Sequence, residues 1–289
     1  MTSETSARHG SISVVVPASS ANLGPGFDAL GMAVSLHAEV GVVDDTQDEW
    51  PGPKVDEHHP AAVAFRRAGG TGELWVRSPI PVGRGLGFSG AVRVGGVVAA
   101  HAQRHGADRD EFERAVPSML ALSTELEGHA DNAAASLLGG VVATAAGRAV
   151  RVPLGIDPAV VVWVPSFTTS TDESRSKLGA GVTFDDAVFN VGRTALLVAA
   201  LAAGDVDALR SATEDRLHQD LRLERAEPSR TALDALLAGG VWAAWLSGSG
   251  PTVAALCPGE VADEIAASLP ADGRAMVLRI DVDGAVIAP

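Results

Sequence analysis

Cysteine is all but absent. Cys257 is the one such residue among 289, which excludes an intrachain disulfide framework and suits a reducing compartment. Basic residues are also scarce: 22 lysines and arginines face 36 aspartates and glutamates, for a formal net charge of −14. The arginines are scattered, so the electrostatic footprint of a nucleic-acid binder is missing. No uncharged apolar run reaches the roughly 18 residues expected of a membrane span. The best stretch, Ala91–Ala102, is too short and carries Arg93. Met1–Gly10 is polar, with neither a long apolar core nor a cleavage-site pattern, so it reads as a frayed start and not a secretory signal. These absences lead to the expectation of a cytoplasmic protein with no nucleic-acid partner and no membrane.

Glycine, in contrast, is plentiful. The 32 glycines gather at particular turns, most densely in Pro81-Val82-Gly83-Arg84-Gly85-Leu86-Gly87-Phe88-Ser89-Gly90-Ala91, which runs into an apolar helical segment ending near His105-Gly106. Glycines at a helix entry let successive N–H groups close on an anion. The free N–H groups and dipole of the helix then favour phosphate. Two other glycine loops do not fit. A Walker loop needs a lysine after the glycines, and none follows Gly87 or Gly90. Gly85-x-Gly-x-x-Gly90 matches the dinucleotide fingerprint by letter, but Ser78–Pro81 separates it from the strand Glu73–Arg77, and Asp108 and Asp110 lie between helical stretches instead of at a second strand end.

In chain order, Ser11–Val16 reads as a strand. It feeds Pro17-Ala-Ser-Ser-Ala-Asn22-Leu-Gly-Pro-Gly-Phe-Asp28-Ala-Leu-Gly31, a loop long enough to bind a ligand through Asn22 and Asp28. Ala33–Val43 is a second strand and Asp44–Pro60 a turn-rich acidic segment. In that segment His58-His59 reads as a solvated pair, because no third ligand stands at a metal-binding spacing. Ala61–Ala68 is a short helix. Asp108 caps a helix that Pro117 should break or restart. Glu127, His129, Asp131 and Asn132 then form the densest polar constellation in the chain, either a site or merely a helix cap. Val141–Ala145 is a strand, 146–158 the crossing between domains, and Ala159–Pro165 a buried strand. Asp185–Ala203 is a helix, and Asp205 caps another running through His218. Ser229–Ala238 is helical. Val241–Leu246, Ser247-Gly248-Ser249-Gly250-Pro251 and Thr252–Leu256 read as strand, glycine turn, strand. The helix Glu260–Leu269 and the strands Ala275–Asp281 and Ala285–Ala288 complete the chain. Strands and helices alternate irregularly, which predicts two α+β domains, at 1–153 and 154–289.

Pro17–Asp28, Gly83–Ser89 and Ser247–Pro251 resemble, in order, the three motifs of the GHMP small-molecule kinases. Glu127-Gly-His-Ala-Asp-Asn132, Asp186-Ala-Val-Phe-Asn-x-x-Arg193 and Asp215-Arg-Leu-His-Gln219 are similar to homoserine kinases in particular. The resemblance implies a ribosomal S5 domain 2-like N-terminal domain, a ferredoxin-like C-terminal domain, and ATP in the cleft between them. Pro81–Ala91 would wrap the phosphates and Ser247–Gly250 support them, with Ser89 and Glu127 as Mg²⁺ ligands. The acceptor would be a small zwitterion with a hydroxyl. Asp28 would meet its ammonium and Arg193 its carboxylate, with Asn22, His129 and His218 orienting the rest. Asp131 and Asn132 would be the catalytic pair, with Asp131 positioning the hydroxyl. A homodimer is compatible with the resemblance. Another GHMP kinase with a small hydroxy-acid acceptor, or a binding protein of low turnover, are the alternatives. Some residues depart from the pattern, and the segment before Ala61 lacks the asparagine expected near the nucleotide. Phe88 stands where the family loop carries a serine, and Arg93 places a charge in a helix expected to pack inside.

Overall fold

The computed structural model describes residues 12–44, 49–167 and 181–288; the expected frayed start at Met1–Gly10 lies outside them. Two antiparallel sheets carry the chain. The first has six strands: β1 (Ser13–Ala21), β2 (Leu30–Val42), β3 (Leu74–Arg77), β4 (Val141–Ala145), β5 (Arg148–Val152) and β10 (Val286–Ala288), in the order β10-β1-β2-β4-β5 with β3 also on β2. The second has four: β6 (Ala159–Pro165), β7 (Ala243–Leu246), β8 (Val253–Cys257) and β9 (Gly273–Arg279), in the order β7-β8-β6-β9. The helices are α1 (Pro60–Arg67), α2 (Phe88–His105), α3 (Arg109–Glu127), α4 (Asp131–Leu138), α5 (Phe184–Ala203), α6 (Val206–Ala212), α7 (Gln219–Leu223), α8 (Glu227–Ala238) and α9 (Ala262–Ala267).

The helix α2 is the centre of the first layer. Its small residues, Gly90 through Ala102, are nearly all buried, which lets it lie against β1 and β2 with α1, α3 and α4 around it. In the second layer the apolar run of β6 is buried on both faces. Val160, Val162 and Val164 share a core with Leu197 and Leu201 of α5 and Leu209 of α6, whereas Val161 and Trp163 share one with Leu236 of α8 and Ile265 of α9. A strand covered on both sides needs no polar alternation, so it is apolar throughout. Among the described residues α5 has the length and apolar composition of a membrane span. Here it packs against α6 and β5, and Asn190 and Thr194 hydrogen-bond the Pro25 carbonyl.

Several elements differ from expectation. Helix α3 runs unbroken through Pro117. Pro117 is exposed, and so is Glu113, whose carbonyl would have been its partner; water can therefore take that bond. The helix capped by Asp205 stops at Ala212, because the Asp215 carboxylate accepts from the N–H groups of Leu217, His218 and Gln219 and closes a separate turn there. The stretch expected as a crossing contains β5, paired with β4 through a hairpin at Ala146 and Gly147, both at positive φ, the conformation of a two-residue hairpin loop.

The end of the chain returns to the first sheet, where β10 pairs with β1. Gly140 N–H donates to Asp281 O, and Asp281 N–H to Ala33 O. A side-chain clasp joins them, with His37 Nε2 and Asp281 Oδ2 2.7 Å apart. That hydrogen bond, with burial opposing it, raises the His37 pKa. Burial would raise Asp281, but the His37 hydrogen bond and the backbone donors of Gly284 and Asp283 outweigh it and hold the carboxyl low. With unfolded values of about 3.9 and 6.5, the clasp stabilises fully between them. Its contribution is lost as pH rises through the elevated His37 pKa or falls through the depressed Asp281 pKa. Urea unfolding should therefore separate wild type from His37→Gln by roughly 0.5 kcal/mol at about pH 5.5 and by clearly less at about pH 8.5. A gap that is equal at both pH values, or wider at the higher one, would contradict the clasp.

Candidate active site

Three loops from the two sheets meet at one place. They follow β1, precede α2, and join β7 to β8. Gly248 N–H donates to Ala21 O, Asn22 Nδ2 donates to Gly248 O at 2.9 Å, and Ser247 Oγ donates to Gly85 O at 2.6 Å. Ser19 N–H binds Leu86 O. Between them lies a cavity of about 440 Å³. Of the residues singled out in the sequence, Pro81, Val82, Gly83, Arg84, Gly85, Gly87, Phe88 and Ser89 line it, as do Gly248 and Ser249. Leu86, Gly90, Ala91 and Ser247 are buried behind it, and Gly250 is not on the wall.

Glycine is required at two of these points. Gly85 has φ +78° and a Cβ there would strike Ser247 O; Gly87 has φ +66° and a Cβ would strike Ser19 Oγ. Gly87 is also the N-cap of α2 and supplies no side-chain cap, so the first N–H groups of an 18-residue helix open towards the loop, as an anion site needs. Phe88 sets its ring edge-on to His59, 6.2 Å between centroids.

Ser89 and Glu127 do come together, with Ser89 Oγ donating to Glu127 Oε2 at 3.0 Å. A hydroxyl and a carboxylate suit Mg²⁺ chemically. Arg93, however, lies one helical turn beyond Ser89, and its guanidinium contacts both Ser89 Oγ and Glu127 Oε2. With that cation in contact with both oxygens, the pair as arranged does not fit a metal ion. Among the described residues no group of three or more His, Cys, Asp or Glu side chains could hold one.

On the other wall are Asn22, Asp28, His129, Asp131 and Asn132. Asn22 and Asp28 have positive φ without being glycine. The strain is held by Asp28 N–H donating to Asn22 Oδ1 at 3.1 Å and by the Asn22 bond to Gly248. Asp131, 2% exposed, opens α4, and its Oδ1 lies 2.7 Å from Asn132 N and 3.1 Å from His129 Nδ1. The His129 hydrogen bond to Asp131, with burial opposing, raises the imidazole pKa. Asn132 Oδ1 accepts from Ser19 Oγ at 2.9 Å, so α4 is keyed to β1.

Arg193 and His218 are not on the cavity wall. Arg193 Nη2 is paired with Glu214 Oε2 at 2.7 Å, and its guanidinium lies over the Phe189 ring. His218 is fully buried, and burial, against the opposing charge of Asp215, lowers its pKa. Its Nε2 lies 2.8 Å from Gly24 O and its Nδ1 3.2 Å from Arg222 Nη1. The neutral ring therefore donates to the carbonyl and accepts from the arginine. Arg222, in contrast, lines the cavity, over the Phe27 ring and 3.0 Å from Gly248 O. The signal for it was its place four residues after His218. His59 also lines the cavity, while His58 is exposed. The ring of His59 caps α1 by accepting from Ala61 N–H, which the following Pro60 could have announced.

Residues 57–140 match the GHMP kinases N terminal domain and residues 197–275 the GHMP kinases C terminal domain. The homoserine kinase of Streptomyces coelicolor is 40% identical over 98% of this chain and 96% of its own length. That of Moorella thermoacetica is 39% identical over 85% and 87%. Two solved structures share the fold. Homoserine kinase from Cytophaga hutchinsonii has a TM-score of 0.83 at 24% identity, covering 99% of this chain and 100% of that one. Mevalonate kinase of Methanococcus jannaschii has a TM-score of 0.68 at 16% identity, covering 95% and 99%. With both domain models matched and relatives at this identity along nearly the whole chain, the protein belongs to the homoserine kinase family of the GHMP kinases.

Proposed function

We propose that the protein transfers the γ-phosphoryl group of ATP to the side-chain hydroxyl of L-homoserine, a step of threonine biosynthesis, in the cytoplasm. The observation that carries this is the convergence of a phosphate loop, a buried Asp131-Asn132 pair and two opposite charges, Asp28 and Arg222, on one cavity. Backbone N–H groups of Val82–Gly87 and the open end of α2 take the phosphates, supported by Ser249. Mg²⁺, arriving on the phosphates of ATP, would neutralise their charge during transfer.

The acceptor lies against the opposite wall. Asp28 takes the ammonium and Arg222 the carboxylate, for which a guanidinium offers two parallel N–H donors. Arg193, the sequence candidate, is engaged by Glu214, and we assign it to holding α5 against the segment that follows α6. Asn22 fixes the loop bearing Asp28, and His218 acts through Arg222 as a positioning residue. Asp131, with His129 and Asn132 fixing its Oδ1, orients the hydroxyl. The hydroxyl oxygen bonds to the γ-phosphorus as the bond to the β-phosphate oxygen breaks, ADP leaves, and the hydroxyl proton passes to the Asp131 carboxylate. Such transfer depends on alignment and charge stabilisation more than on a strong base.

Loss of one charged partner from a closed site costs about 2 kcal/mol or more, roughly 30-fold. Arg222→Met and Asp28→Asn should each lower kcat/KM for homoserine by about that factor while the KM for ATP stays within a few-fold. Arg193→Met should cost only a few-fold in the same ADP-release assay. The amine-free analogue 4-hydroxybutanoate should be turned over at least about tenfold less efficiently than homoserine by the wild type. Comparable turnover of the two would move the assignment to a hydroxy-acid kinase.

A further inference from the structure

The position of Arg93 is dictated locally. Side chains on a helix lean towards its N-terminus, so residue i+4 reaches back over residue i. Arg93 on α2 therefore lays its head over Ser89, beside the phosphate loop. The last residue of α3, Glu127, arrives at the same point because α3 packs along α2. Glu127 is 10% and Arg93 23% exposed in their side chains, so the pair is largely shielded from water, where a carboxylate left alone would be costly. The guanidinium contacts both oxygens that would otherwise face a divalent ion. A metal on the same two oxygens would sit about 2.1 Å from each, beside a permanent positive charge at hydrogen-bonding distance.

We propose that Arg93 is the resident cation of the phosphate site: it takes the place between Ser89 and Glu127 where a divalent metal would bridge protein and nucleotide. The protein then supplies no direct metal ligand there, and the divalent ion is held by the nucleotide alone. Arg93 balances the charge of Glu127 and holds the Ser89 hydroxyl before ATP binds. The inference rests on the reading of Pro81–Gly87 as the phosphate loop.

Calorimetric binding of the non-hydrolysable ATP analogue AMP-PNP, with Mn²⁺ and with EDTA, gives a metal enhancement of affinity that does not depend on turnover. In the wild-type background, Glu127→Gln should leave that enhancement within about threefold. In an Arg93→Met background, where the apolar stem is kept and the charge removed, the same change should reduce the enhancement by roughly tenfold or more, because Glu127 has become a ligand. A tenfold reduction by Glu127→Gln with Arg93 present would overturn the proposal, and that arm needs no substitution at Arg93. A wild type that binds AMP-PNP neither with Mn²⁺ nor with EDTA would overturn the phosphate-loop reading and this inference with it. Binding that passes this control but shows the Glu127 dependence would overturn the inference alone.

Discussion

The site depends on a clamp at Ser247 and Gly248. One dipeptide from the second sheet donates through Ser247 Oγ to the phosphate loop at Gly85 O, donates through Gly248 N–H to Ala21 O, and receives Asn22 and Arg222 on the Gly248 carbonyl. Ser247 Oγ also meets Ser20 Oγ at 2.7 Å, so the clamp reaches β1 directly. Four of these groups are main-chain atoms, and at Gly85 the approach is so close that a Cβ would strike Ser247 O. Buried hydrogen bonds of this kind add about 1 kcal/mol each when made and cost more when a partner is missing. The clamp therefore fixes geometry more than it adds stability, and it lets a donor wall on the α2 side face an acceptor wall at β1, α4 and α7.

Charge is arranged around that geometry in opposed pairs. In a chain of net charge −14, the cavity nevertheless has cations at hand, with Arg84 and Arg222 on its wall and Arg93 in contact with Ser89 beside it. Each is held in place by a neutral or acidic neighbour. Arg84 donates to Ser166 O at 2.8 Å, Arg222 rests on the neutral His218 ring, and Arg93 rests on Glu127. Fixed dipoles and charges of this kind need little rearrangement when a phosphoryl group passes between oxygens. Three left-handed non-glycine residues, Asn22, Leu23 and Asp28, lie in the same loop, a strain held in part by the hydrogen bonds of the Asn22 side chain.

Much of this was legible in residue types, because backbone demands leave marks in sequence. The glycines before α2, the Ser-Gly-Ser-Gly-Pro turn, the caps at Asp108 and Asp205 and the doubly buried β6 all follow from local chemistry. What was not legible depends on distant packing. Arg193 and Arg222 are equally good carboxylate partners on paper. Only Glu214 beside the first, and the His218 ring and Phe27 beneath the second, decide which faces the cavity. Helix α3 passes Pro117 because that side meets water, and β5 exists because the Ala146-Gly147 hairpin returns it onto β4. Arg93 was conspicuous in sequence as a charge in a packed helix, but its role needed the end of α3 beside it. The return of β10 and Asp281 to the first sheet is likewise a contact between residues far apart in the chain.

Both walls of the cavity would then act on one amino-acid substrate. Phosphorus NMR of the purified protein with ATP and L-homoserine tests it directly. The account requires a new phosphomonoester resonance that grows in step with ADP when homoserine is present and does not form when it is omitted. ADP appearing at the same rate without homoserine, or no phosphomonoester from homoserine at all, would contradict it.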